Sequence, residues 1–268
     1  LAIPAEVLLG EPSRSLPTTL AKMDWDAFPL SEMFRRRWFG DAAKSLRDLR
    51  ERAEEILRPF LAPVAMAPAK ASRLRQKVRR NSAVDEKALL AWKARVWHLA
   101  QGRQVSPYNP KTITRQFIGE VARLSLVKNG PVVAADFLAG AGIRLVVEPQ
   151  MPHTHLDGAA MRFDGHAPVV ALTLRYDRLD NFWFTLCHEL AHVALHLQGE
   201  ESASFLDDLE ATDESKGERD ADRTASQAMI PEAAWVQWRE EGTPSRDDIV
   251  HFAASIRVHP AIVAGRYR

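Results

Sequence analysis

The chain is short of cysteine: among its 268 residues only Cys187 carries a thiol. One thiol excludes an internal disulfide framework and fits a reducing, cytoplasmic setting. Long apolar runs are missing as well. No stretch approaches the roughly 20 residues that a membrane-spanning helix needs, and no N-terminal segment has the pattern of a secretory signal. Nor is there an excess of one charge. The 36 Lys and Arg against 35 Asp and Glu leave a formal net charge of +1, which argues against bulk electrostatic coating of nucleic acid. Internal repeats are absent too. What is there, 46% hydrophobic and 26% charged residues, is the composition of a soluble globular protein. The length allows a sizeable core, in one main domain plus an accessory region. The first residue is Leu1 rather than Met, so the sequence reads as a piece of a longer chain.

Pattern along the chain divides it in three. Residues 1–20, punctuated by Pro and Ser, read as a linker. Residues 21–105 form a helical accessory region. Phe34, Trp38, Leu46, Leu49, Ile56 and Leu57 recur at helical spacing among Arg35, Arg36, Arg37, Lys44, Arg47, Arg50 and Arg52. That basic face could touch phosphate, although Asp48, Glu51, Glu54 and Glu55 balance it and favour a solvated surface. An Ala/Pro joint at 62–70 precedes the densest basic run, Arg73, Arg75, Lys77, Arg79 and Arg80. A further helix spans 83–101, with Trp92, Val96 and Leu99 on one face. Residues 106–268 form the main domain. Two helices (111–128 and 131–141) lead to three short β-rich segments beginning at Ile143, Gly158 and Val169, with an Asp164-Gly165 turn between the last two. Helices follow, and 245–268 closes the chain. The fold class expected is α+β.

One segment carries chemistry: His188-Glu189-Leu190-Ala191-His192. An α-helix turns about 100° and rises about 1.5 Å per residue, so imidazoles four positions apart reach one ion from one face. Zinc takes neutral imidazole at about 2.0–2.1 Å and keeps a position open in catalytic sites. Glu189 then sits where a general base is needed. Cys187 reads as a small buried helix residue. A purely structural zinc clip is disfavoured, because a closed site needs four protein ligands, typically including Cys.

A third ligand must come from the acidic residues between 200 and 222. From Gly217 the chain reads GERDADRTASQAMIP, with Ala221, Ala225, Ala228 and Met229 at helical spacing. At about 100° per residue, Glu218 falls in that stripe and Asp220 outside it. Glu218 is therefore the preferred ligand and Asp220 the alternative. Asp222, one turn after Glu218, borders the same face and can accept the free N–H of a ligating imidazole.

HELAHVALH followed by E-x-x-A-D-x-x-A-x-x-x-M-I-P resembles the ImmA/IrrE family of gluzincin-type zinc metallopeptidases over about residues 140–235. The resemblance implies a zincin-like domain with a small three-stranded sheet and an HExxH helix. It implies zinc held by His188, His192 and Glu218, with Glu189 catalytic and the second motif's helix ending at Pro231. Many relatives also carry a carboxylate where Asp220 stands, and Thr224 departs from the aromatic usual there. His196 matches the last His of the HELxHxxLH pattern, which implies support around the ligands. The family also implies extended substrate pairing with the sheet edge beside the metal helix, a form of recognition that needs little sequence.

The substrate implied is a partner transcriptional repressor or antitoxin, cut to switch on a stress, mobile-element or defence response. LAIPAEVLLGEP resembles the tail after the helix-turn-helix domain of Xre-type regulators fused to such peptidases. It implies a missing upstream DNA-binding unit and DNA association through it or through the basic helices. The alternative from another class is a DNA-associated regulator or antitoxin whose zincin fold senses or binds without proteolysis.

Overall fold

The computed structural model describes residues 23–65, 72–76, 85–163, 167–197, 211–240 and 242–268. The expected linker at 1–20 and the turn at Asp164-Gly165 lie outside them, as do parts of the Ala/Pro joint, the basic run and the acidic stretch after 197.

The N-terminal part is helical because its apolar residues recur at helical spacing, and polar side chains cap the start of two of its helices. It comprises α1 (Leu30–Arg35), α2 (Leu46–Glu51) and α3 (Ala53–Ala65), then strand β1 (Ser72–Gln76) and the long α4 (Glu86–Gln101). Ser45 accepts the Asp48 N–H at the start of α2, and Asp85 accepts the Ala88 N–H at the start of α4, satisfying donors that a helix leaves open. Trp38, Leu49, Leu57, Phe60 and Trp92 are fully buried here. The polar face neutralises itself: Arg35 pairs with Glu32, Arg47 with Glu51 and Arg52 with Glu55, within single helical turns.

The remainder contains α5 (Arg115–Arg123), α6 (Gly130–Gly140), β2 (Arg144–Val147), β3 (Leu156–Met161) and β4 (Val169–Leu172). These are followed by α7 (Leu179–His196), α8 (Ala211–Met229), α9 (Glu232–Glu240), α10 (Arg246–Ser255) and α11 (Pro260–Tyr267). Pro231 follows α8 and cannot continue it. Ser245 and Asp248 form a reciprocal capping box on α10.

The three expected strands are present, and β1 adds a fourth, giving the order β1-β3-β4-β2. β3 is antiparallel to β4, while β2 and β4 are parallel. β1 runs antiparallel along the outer edge of β3, from Ser72↔Met161 to Gln76↔Leu156. The sequence Ser-Arg-Leu-Arg-Gln hides such a strand, because one leucine between two cations shows no alternating apolar face. The edge expected to lie open beside the metal helix is therefore covered by the chain's own backbone.

Every residue of β3 is buried, because the sheet separates two cores. On one side Ala160, Val170 and Leu172 pack with α7, α5 and α8. On the other, Ala159, Met161, Val169 and Ala171 pack with the N-terminal helices, including Trp92 of α4. Strand alternation sends neighbouring residues to opposite faces, so one strand serves both.

Candidate metal centre and active site

Helix α7 passes under the sheet with its central turns enclosed, and His188, Glu189 and His192 are fully buried. Helix α8 packs alongside in the opposite direction, so that Glu218 meets His192 and Asp222 meets His188 one turn further on. The periodicity that made Glu218 share a stripe with Ala221 and Ala225 is what turns it inward; both alanines are completely buried.

The Nε2 atoms of His188 and His192 lie 2.9 Å apart. Each faces a Glu218 oxygen, at 3.3 Å from His188 and 3.1 Å from His192. Among the described residues, these three form a group able to hold a metal ion, with ligand atoms all within 4.8 Å of one another. Ligands of one tetrahedral ion with bonds of about 2.0–2.1 Å stand about 3.3 Å apart, close to the separations seen.

The donor chemistry fits a cation as well. His188 Nδ1 lies 2.8 Å from Asp222 Oδ1, and only a protonated nitrogen can donate to that carboxylate. In a neutral ring Nε2 is then a bare lone pair aimed at the carboxylate and at the second imidazole. Such an array is repulsive until positive charge lies between its members. Burial works to raise the Glu218 carboxyl, but hydrogen bonds and charges from protonated His188 and His192 rings would outweigh it and hold it far below the usual carboxylate range, the effect that any positive charge lodged between these groups has. Glu218 is therefore an ionised donor.

Glu189 is next to His188 in sequence but points around the helix toward β3. A Cβ built on Gly158 would fall 2.8 Å from Glu189 Oε1 and 2.8 Å from Thr185 Cγ2. The strand backbone can run this close to the carboxylate because residue 158 has no side chain. Sequence reading passed over both Gly158 and Thr185. A glycine inside a β-rich run does signal close backbone approach, though not what approaches.

The other residues singled out from sequence fall as follows. Asp220 is half-buried on another face of α8 and pairs with Arg223, away from the cluster. His196 lies one turn beyond His192, their ring centroids 5.4 Å apart, beside the cluster rather than in it. Cys187 is completely buried, with its sulfur 4.0 Å from the Ile118 carbonyl oxygen, and burial pushes its thiol up to about 12.

A family model described as Peptidase M78, IrrE N-terminal-like domain, matches residues 140–266, from the end of α6 through α11. That span includes β2, β3, β4, the paired histidines and Glu218. No curated protein and no solved structure matches the chain.

Proposed function

We propose that the chain, whose residues 140–266 match the Peptidase M78, IrrE N-terminal-like domain, is a zinc-dependent endopeptidase that acts on a protein partner. The observation that carries this reading is the convergence of His188, His192 and Glu218 beside a buried Glu189. Zinc held by those three residues would polarise a scissile carbonyl and lower the pKa of a water molecule towards about 7.

The chain's own residues do the rest. Asp222 accepts the Nδ1–H of His188, which fixes the tautomer and keeps Nε2 turned to the cluster. Glu189 takes a proton from the attacking water and passes it to the leaving amine. The walls of α7 and β3 exclude other water from its carboxylate, and burial strengthens electrostatic interactions there.

The partner proposed is a transcriptional repressor or antitoxin whose cleavage releases a stress, mobile-element or defence response. Proteolysis suits such a switch because it is irreversible. The reaction belongs in the cytoplasm, where such regulators bind DNA. Co-expression with the regulator encoded beside its gene tests this. Wild type should cut the regulator, a chelator should stop cutting, and Glu189→Gln should abolish it while retaining metal. Regulatory output that survives Glu189→Gln overturns the peptidase reading in favour of a DNA-associated regulator that binds without cutting.

A further inference from the structure

Strand β1 occupies the free edge of the strand that meets Glu189. In the order β1-β3-β4-β2 it is the outermost strand, and β3 has β4 on its other side. Arg75 stands opposite Gly158, the residue whose backbone runs against the Glu189 carboxylate. Neighbouring strands are about 4.7–4.9 Å apart, so the backbone of β1 passes one strand spacing from that contact. Without β1, residues 156–161 would present a row of open N–H and C=O groups beside Glu189. On such an edge an extended peptide adds itself as a further strand.

β1 is held by little besides its ladder. Its sequence, Ser-Arg-Leu-Arg-Gln, has no alternating apolar face to bury. Among the described elements, its contacts concentrate on β3. The register slips between Arg75 and Gln76, which leaves Asp157, next to Gly158, with no opposite number; such slips disrupt a ladder locally. The helices on either side do not depend on β1 for their packing. His98 of α4 stacks on Phe60 of α3 with ring centroids 5.0 Å apart, and its Nε2 lies 3.0 Å from the Phe60 carbonyl oxygen. β1 can therefore leave β3 while α3 and α4 stay together, and an incoming strand can remake the backbone hydrogen bonds that it gives up.

We infer that β1 is an internal competitor for the substrate strand: it covers the β3 edge in the resting protein and must detach before an extended segment of the partner pairs there. The inference rests on the peptidase reading and adds regulation to it. A tethered strand competes at a high effective concentration, so the covered state dominates. A short unfolded peptide offers only the backbone bonds that β1 already makes and gains nothing by exchange. A partner that brings side-chain contacts of its own tips the balance, which restricts cutting to that partner.

The double substitution Arg73→Pro with Leu74→Pro tests this. Successive N–H groups of a strand point to opposite sides, so one of the two changes removes a donor from the β1–β3 ladder whichever way the strand faces. An uncovered population of about 0.1–10% weakens apparent substrate binding by that fraction, so uncovering should raise kcat/KM on the neighbouring regulator by at least about tenfold. The converse variant combines Leu74→Cys with Ala159→Cys, which stand directly opposite each other. Its cross-linked form should lose turnover and regain it on reduction with a phosphine. Equal turnover of cross-linked and reduced protein, or a folded proline variant that cuts no faster than wild type, overturns the proposal.

Binding and hydrogen exchange separate it from the peptidase reading. The regulator should bind zinc-loaded Glu189→Gln about tenfold more tightly when the two proline changes are added. Bound to Glu189→Gln alone, it should abolish the amide protection of residues 72–76 and leave that of residues 169–172 on β4 unchanged. Both results without cleavage by any variant would sink the peptidase reading and keep β1 as the cover of a peptide-binding edge. No gain in affinity, or β1 protection that survives binding, overturns the cover whatever the protein cuts.

Discussion

Replacing Gly158 with alanine isolates the contribution of backbone approach to the active site. The added methyl would sit 2.8 Å from Glu189 Oε1, 2.8 Å from Thr185 Cγ2 and 3.1 Å from Glu189 Cγ. Comfortable carbon contacts begin at about 3.5 Å, so something must give by about 0.5–1 Å. Thr185 is buried and β-branched, and its χ1 is stiff. The Glu189 carboxylate, at the end of a longer side chain, yields first. Overpacking of this kind costs about 1–3 kcal/mol of stability, whereas a misplacement near 1 Å costs about a hundredfold in rate. Gly158→Ala should therefore melt modestly lower, keep its zinc and lose about a hundredfold in kcat on a peptide substrate. Gly140→Ala is the matched control, since a Cβ there meets no heavy atom within 4 Å; it should leave kcat unchanged. Wild-type kcat in Gly158→Ala would refute the placement of Glu189 against β3. Loss of zinc together with activity would show instead that Gly158 shapes the ligand cluster.

Metal affinity should separate the two acidic candidates of α8: Glu218→Gln should lose bound zinc under equilibrium dialysis, whereas Asp220→Asn, which breaks the pair with Arg223, should retain it. Asp222→Asn weakens the orientation of His188 and should lower zinc affinity by about 10–100-fold without preventing folding. Burial lowers the pKa of His98, against a raising contribution from its hydrogen bond to the Phe60 carbonyl. The unfolded chain then binds the proton more readily below about pH 6.5, so stability should fall as the medium is acidified through that value. Thermal melts of His98→Gln should show a shallower acid slope, and an unchanged slope would exclude His98 as its source. The Cys187 thiol, raised to about 12 by burial, should resist iodoacetamide in the folded protein at mildly alkaline pH and react once denatured; rapid native alkylation would contradict its enclosure.

The candidate metal cluster was legible because helical geometry is local. A spacing of four brings His188 and His192 to one face whatever surrounds them, and the same phase counting separated Glu218 from Asp220. Asp222 followed by one more turn. Gly158 did not declare its role, because it matters through what another element brings beside it. A glycine in a strand signals closeness, but only the packing of α7 names Glu189 as the neighbour. β1 was hidden for a related reason: its pairing with β3 is made by backbone groups, and its residues read as part of a basic run. The periodic Trp38, Leu49 and Leu57 likewise revealed an apolar face without revealing its partner, which includes the back of the sheet that holds the catalytic side.

That double-sided sheet bears on any attempt to isolate residues 106–268 alone. Removing the first 105 residues would uncover Val146, Leu156, Met161 and Val169 together, side chains now sheltered by Trp92 and its helical neighbours. A fragment with so much freshly wetted hydrocarbon would tend to clump, and the slab on which Glu189 rests would lose its backing. The helices ahead of the HExxH segment serve as the sheet's foundation, so the smallest stable fragment should extend well upstream of His188, His192 and Glu218.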